Sequence, residues 1–252
     1  MSEPRNPPQG RSAPDGRSIA EVTALAGGLA HELRNPLSTM MVNLQLLTED
    51  LQDERAEPSD TRRRALVRIG VVRREAERLQ TLFDEFLSLA GPCRLRRTSV
   101  DLRDVVNRLI SFLDPTLKAA GITAEPIGPE YSLICPVDEQ LLDQALLNIV
   151  LNASDAMPGG GALSIEVRRE APWAVISVRD TGTGIAPEDR TRIFEPFFST
   201  KPKGTGLGLS VTDRVIHEHG GNLTFETAVG KGTTFTIRFP LDPTLSNGDR
   251  VS

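Results

Sequence analysis

Residues 180–209 read DTGTGIAPEDRTRIFEPFFSTKPKGTGLGL, and the order of glycines, aromatics and lysines in this stretch decides the fold. It follows an alternating apolar run, Ala174–Arg179, so Asp180 falls at the end of an expected strand. A carboxylate there can accept from the exocyclic amine of a base. Gly182 and Gly184 let the backbone turn sharply and a flat ring approach closely. Alone, Asp-x-Gly-x-Gly is also an ordinary turn. At the other end of the stretch Gly204, Gly206 and Gly208 open an expected helix, with Thr205 and Leu207 between them. Backbone N–H groups at a helix N-terminus cradle phosphate oxygens, and Lys201 and Lys203 are placed to add positive charge. This cluster lacks the Gly-Lys-Ser/Thr ending of a P-loop and the strand–helix–strand setting of a dinucleotide fold. Phe194-Glu195-Pro196-Phe197 separates the glycine clusters.

Upstream, Asp138–Met157 has the period of a helix, with Leu141, Leu142, Ala145, Leu146, Ile149 and Val150 on its buried side. Asn148 and Asn152 lie four residues apart on it, so their carboxamides share one face inside an otherwise apolar stretch. Carboxamide oxygens are hard, neutral ligands suited to Mg²⁺. Around these elements the pattern predicts a helix over Asp101–Ala120 and strands over Ile122–Ile127, Tyr131–Pro136 and Ala162–Arg168. A helix over Gly206–His219 and a terminal hairpin, Asn222–Thr227 with Thr233–Phe239, complete it. The order predicts an α/β sandwich, with helices on one face of a mixed sheet.

Residues 18–91 have a different texture. Val22, Leu25, Leu29, Leu33, Leu37, Met40, Leu44, Leu47 and Leu51 recur every three or four positions, the apolar stripe of one long helix. After a turn over Gln52–Asp60, Ala65, Ile69, Val72, Ala76, Leu79, Phe83, Phe86 and Ala90 form a heptad seam that Gly91-Pro92 ends. Two long helices joined by a short turn make an antiparallel hairpin whose seam needs cover. The remainder of the chain could supply it, but a second copy completing a four-helix bundle is the economical solution, so we expect a homodimer. Pro36 sits inside the first helix, where proline removes a backbone donor and bends the helix. His31 lies roughly 200° around that helix from Leu29, facing away from the seam.

In this order the motifs are specific, and from about residue 18 to 240 the chain resembles a two-component sensor histidine kinase. His31-Glu32-Leu33-Arg34-Asn35-Pro36-Leu37 is similar to that family's phosphoacceptor box, Asn148–Asn152 to its N-box and Asp180–Gly184 to its first glycine box. Phe194–Phe197 is similar to the F-box and Gly204–Gly208 to the second glycine box. The resemblance implies an α+β chain. Residues 1–17 form a disordered tail, 18–91 a dimerisation and phosphoacceptor hairpin and 92–97 a linker. A Bergerat-type ATP-binding sandwich over 98–242 and a loose tail over 243–252 follow. It implies ATP and Mg²⁺ as cofactors, with His31 as phosphoacceptor, Glu32 as the base that takes its proton and Asn35 orienting water for dephosphorylation of the partner. ATP binding falls to Asn148, Asn152, Asp180, Gly182, Gly184, Phe194, Lys201, Lys203, Gly204, Thr205, Gly206, Leu207 and Gly208. Asn152 with Asn148 holds the metal, Asp180 takes the adenine amine, and residues 196–205 form a mobile lid. An imidazole near neutral pKa beside a carboxylate is chemically competent for this attack on a γ-phosphate. Where many members carry a basic residue three positions after the second N-box Asn, this chain has Asp155, which shifts phosphate binding onto the lid lysines. The short lid resembles the nitrogen-regulation-like branch. The implied partner is a response regulator receiver domain.

Composition agrees. The 252 residues carry 29 Lys+Arg against 34 Asp+Glu, a net charge of −5, which excludes a generally basic, nucleic-acid-coating surface. Aromatic residues are 4%, too few for a single-strand stacking platform. Cys93 and Cys135 offer neither a zinc quartet nor a disulfide framework, and no apolar run approaches the length of a membrane helix. A cytoplasmic protein without membrane insertion is expected. The 17 tail residues leave no room for a sensor, so the signal is expected to enter through a separate sensory input protein, with the bundle itself or a region outside this sequence as the alternatives. His217 and His219, at a helix end, read as structural. Arg62, Arg63, Arg64, Arg68, Arg73, Arg74 and Arg78 read as a solvated face, with docking of an acidic partner as the rival. Two other functions stay open: a regulator-binding phosphatase or scaffold without autokinase activity, and another ATPase of the gyrase and Hsp90 group.

Overall fold

A computed structural model describes residues 19–52, 58–91, 95–201 and 204–241. The expected terminal tails, Cys93 and Lys203 lie outside the described residues.

Helix α1 (Ile19–Gln52) and helix α2 (Pro58–Ala90) pack along each other as the expected antiparallel hairpin. α1 runs unbroken through Pro36, which is buried. α2 begins at Pro58, so its first three residues fall inside the expected turn. Proline opens a helix without loss there, because its missing N–H would have had no partner. The arginine run is not only a solvated face: Arg64 and Arg68 both reach Asp50 near the end of α1, and Arg68 Nε donates to its carboxylate at 2.5 Å. These charge-assisted bonds hold Asp50 below the usual carboxylate range. Nearer the middle of the hairpin, Arg78 stands 4.0 Å from Glu32. The expected heptad seam is only partly covered in the single chain, and Ile69 and Phe83 each remain 51% exposed. The fully buried positions of α2 are instead Leu82 and Leu89, on its flank, where the second domain covers them.

That domain runs β1 (Thr98–Asp101), α3 (Leu102–Ala119), β2 (Ile122–Ile127), β3 (Ile134–Val137), α4 (Glu139–Asp155), β4 (Gly161–Glu170), β5 (Trp173–Asp180), α5 (Gly208–Glu218), β6 (Asn222–Ala228) and β7 (Gly232–Pro240). The main sheet has the order β2-β4-β5-β7-β6, parallel between β2 and β4 and antiparallel elsewhere. Its inner face is apolar because the strands alternate: Leu163, Ile165 and Val167 lie beside Val178 and Ile176, which lie beside Phe235 and Ile237. Leu102, Val106, Leu142, Leu146 and Ile149 of α3 and α4 cover that face, giving the expected two-layer sandwich with an aliphatic core. Strand β1, not anticipated, pairs with β3 outside the main sheet. Its last residue, Asp101, caps α3 by accepting from Arg103 N–H, and Asp138 caps α4 through Leu141 N–H.

The two domains meet along α2 and α5. Leu82 and Leu89 pack with Leu207, Val211, Val215 and Ala145. The last turn of α2 has no basic residue of its own, and Arg214 of α5 supplies one. Its guanidinium donates to the carbonyls of Ser88 (2.7 Å), Leu89 and Gly91 (2.6 Å), capping the helix. Residues 92–94 of the expected linker lie outside the described residues. Arg96 N–H donates to Asp138 and the Arg97 guanidinium to the Glu218 carbonyl, so both belong to the second domain.

Candidate nucleotide site

Between α4, the end of β5 and the start of α5 lies a cavity of about 550 Å³, a volume suited to a small organic ligand. The segments that position its walls are the three motif clusters. Asn148 and Asn152 project from α4 as their spacing requires, and both line it. The Asn148 amide also donates to the Gly208 carbonyl at 3.3 Å, which ties α4 to the first turn of α5.

Asp180 ends β5 on the inner face of the sheet and is 4% exposed. Its Oδ1 accepts from Gly182 N–H at 2.8 Å and Thr233 N–H at 3.1 Å. Burial pushes the Asp180 carboxyl up, while the two N–H groups pull it back down. The chain then turns through Gly184, whose φ of +71° and close approach to the Ala228 carbonyl leave no room for a side chain. Thr183 and Gly184 line the cavity, whereas Gly182 does not and packs closely against Ala156, which does.

The second glycine cluster forms the opposite wall with Gly204, Thr205, Gly206 and Gly208. Gly206 has φ +68°, and a Cβ there would meet the backbone of Phe197 and Phe198 at 2.5 and 2.7 Å. Phe197 itself has φ +65°, a conformation that costs a bulky residue about 1–2 kcal/mol. Its N–H donates to the Gly206 carbonyl at 3.0 Å. Its ring packs beside the interdomain cluster and against Gly28 of α1, three residues before His31, where a Cβ would run into the ring.

Three expected site residues are not among those that line the cavity. Phe194 packs edge-on against Phe225, with ring centroids 5.8 Å apart, and the aromatic side chains that line the cavity are Phe198 and Phe235. Leu207 is buried between the domains. Gly182 supports the turn. Lys201 lines the cavity, its Nζ 2.7 Å from Asn152 Oδ1 and 2.7 Å from Asp155 Oδ2. A cation is thus already seated on the carboxamide oxygen expected to hold Mg²⁺, so that oxygen suits a hard cation. His31 and Asn35 lie on α1, and Asn35 is exposed.

One wall residue comes from the hairpin and was not foreseen. Glu85 of α2 reaches the cavity from the hairpin and is 8% exposed. Burial pushes its carboxyl up, and a hydrogen bond from the Thr205 hydroxyl opposes this. The only signal available in the sequence was an acid near the end of a helix face otherwise apolar. His219 is buried and neutral rather than a cation at a helix end. Its Nδ1 donates to the Val215 carbonyl at 2.7 Å, and its Nε2 accepts from Asp138 N–H at 2.9 Å. Burial pushes the Cys135 thiol up to about 12, which makes it inert at neutral pH.

Comparison with known proteins bears on each domain. The family described as "Histidine kinase-, DNA gyrase B-, and HSP90-like ATPase" matches residues 137–243, and "His Kinase A (phospho-acceptor) domain" matches residues 21–91. Sporulation kinase C of Bacillus subtilis (strain 168) is 33% identical over 232 residues, covering 92% of this chain and 52% of that protein. The chain spans about half the length of the curated relatives it matches. Among solved structures, the histidine kinase AdeS of Acinetobacter baumannii is 26% identical with a TM-score of 0.62, covering 84% of this chain and 98% of that one. The mycobacterial sensor histidine kinase MprB is 30% identical with a TM-score of 0.50, covering 57% of this chain and 97% of that one. Among the described residues no helix is long and apolar enough to cross a membrane.

Proposed function

The chain belongs to the two-component sensor histidine kinases, and from that premise we propose that it is an ATP-dependent protein-histidine kinase that phosphorylates its own His31 and passes the phosphoryl group to an aspartate of a response regulator receiver domain. The observation that carries the reading is one cavity that gathers Asn148, Asn152, Asp180, Gly184, Gly204, Gly206 and Gly208, with one wall, Glu85, contributed by the helix paired with the His31 helix.

In this mechanism Asp180 accepts from the adenine amine; burial pushes its carboxyl up, and the N–H groups of Gly182 and Thr233 oppose this by favouring the charged form. The flat base lies over Gly184, and the triphosphate runs towards the N-terminus of α5, where the glycine cluster leaves N–H groups to receive it. Asn152, with Asn148, is the residue set that would hold Mg²⁺, which screens the charge on the triphosphate oxygens. A ring nitrogen of His31 attacks the γ-phosphorus. The N–P bond forms, the bond to the bridging oxygen of ADP breaks, and the imidazole proton passes to Glu32. The second transfer carries the phosphoryl group to the regulator aspartate and frees the imidazole. Asn35, exposed one turn beyond His31, supports regulator dephosphorylation as a second activity of the same face.

We read residues 18–91 as the dimerisation and phosphoacceptor domain and 98–242 as the ATP-binding domain, in a cytoplasmic homodimer. The half-exposed seam residues Ile69 and Phe83, with Leu66 and Val67 beside them, support a second copy as their cover. The test of the ATP site is Asn152→Ala, which abolishes ATP-dependent labelling if the reading holds and leaves it unchanged if Asn152 holds no metal or nucleotide.

A further inference from the structure

Resting on the ATP-site reading above, we infer that Lys201 is a built-in cation that occupies the metal position on Asn152 until Mg-nucleotide arrives, and that Asp155 is the side chain that holds it there. Asn152 and Asp155 are three residues apart on α4, so they project from one face and a single ammonium can bridge them. Lys201 does so from outside the helix, at 2.7 Å to each. Its placement is backed by its own backbone: its N–H donates to Ser199 Oγ at 3.2 Å, and its carbonyl accepts from Gly204 N–H at 3.2 Å. Lys201 is also the one basic side chain among the described residues that line the cavity, where it faces the acids Asp155, Asp180, Asp189 and Glu85.

A Mg²⁺ ion takes oxygen ligands at about 2.0–2.1 Å, so metal and ammonium on one carboxamide oxygen would be close like charges. They exclude each other. Metal arrival therefore expels Lys201, whose flexible stem lets the ammonium turn to the phosphate oxygens, and Asp155 is left behind as its resting partner. The exclusion is reciprocal: Lys201 weakens metal binding by the factor by which metal weakens Lys201's hold on the site. Asp155, where a phosphate-binding base was expected, becomes the positioning residue for the lysine that replaces that base.

The experiment measures binding of the β,γ-methylene analogue of ATP by calorimetry, with Mg²⁺ and with chelator, for the wild-type chain, Lys201→Met and Asp155→Asn. In the metal-free titration Lys201 is the counter-ion of the phosphates, so Lys201→Met weakens binding there. With Mg²⁺ the lost phosphate contact is offset by the end of competition for Asn152 Oδ1, so binding weakens much less and the ratio of metal-free to metal-loaded dissociation constants rises about tenfold. Asp155→Asn acts in the opposite direction and tightens metal-free binding about two- to fivefold, since Lys201 leaves a neutral partner more easily. Equal weakening by Lys201→Met in both titrations, or an unchanged constant in Asp155→Asn, overturns the proposal and leaves the ATP site standing. If the wild-type chain does not bind the analogue with Mg²⁺, the ATP-site reading fails, and this inference fails with it.

Discussion

Replacing Leu82 by alanine should uncouple the ATP-binding domain from the helical hairpin without unfolding either. Leu82 is fully buried, and its neighbours in the cluster, apart from Leu89, are Ala145, Leu207, Val211 and Val215 of the second domain. Truncating a buried leucine costs about 2–5 kcal/mol from lost transfer energy and the cavity left behind. At about 1.4 kcal/mol per tenfold, even the lower figure shifts the docking equilibrium roughly thirtyfold. The loss falls on docking, because the inner core under the sheet contains no atom of Leu82. Methyl resonances read this directly. Those of Leu207, Val211 and Val215 should move in Leu82→Ala, while those of Ile176 and Ile237 in the sheet stay in place. Collapse of the sheet resonances would mean that Leu82 supports the domain fold. No movement at Val211 and Val215 would mean that the two domains are not held together here.

Asp180→Asn keeps an acceptor for the Gly182 and Thr233 N–H groups but puts an N–H₂ where a carboxylate oxygen stood. ADP affinity should fall at least about tenfold by calorimetry, with the thermal midpoint nearly unchanged. Gly206→Ala places a Cβ against the backbone of Phe197 and Phe198 in a left-handed conformation that alone costs about 1–2 kcal/mol, so nucleotide binding should be lost before folding is. His219 titrates below its ordinary value near 6.5 because it is buried, so the unfolded chain takes up this proton first as pH falls. The stability it supports is therefore full above about pH 6.5 and declines below it. Denaturant unfolding at pH 7.5 and 5.5 should show this decline, and His219→Gln should reduce it.

The sequence made the repetitive parts of this molecule legible and left the contacts between parts hidden. Strands β4, β5 and β7 were readable because an inner face buried under helices forces strict alternation, as in Leu163, Ile165 and Val167. The cavity-lining members of the glycine clusters were readable because only glycine fits a left-handed turn against neighbouring backbone, as at Gly184 and Gly206. Phe194 and Leu207 were assigned to the nucleotide because they sit inside motifs. Yet a motif fixes the backbone path, and the side chains along it point alternately to the ligand, the core and the other domain. Strand β1 escaped notice because four residues carry no period. Glu85 and Arg214 were invisible for a different reason. Their roles depend on how two separately folded units meet, which no local pattern encodes.

The central claim is that His31 receives the γ-phosphoryl group of ATP. The direct measurement incubates the wild-type chain and His31→Gln with Mg²⁺ and γ-labelled ATP, then treats the labelled protein with acid and with alkali. The account predicts a label that survives alkali, is lost in acid and is absent from His31→Gln. A wild-type chain that binds ATP but takes up no label, or a label that persists in His31→Gln, would contradict it.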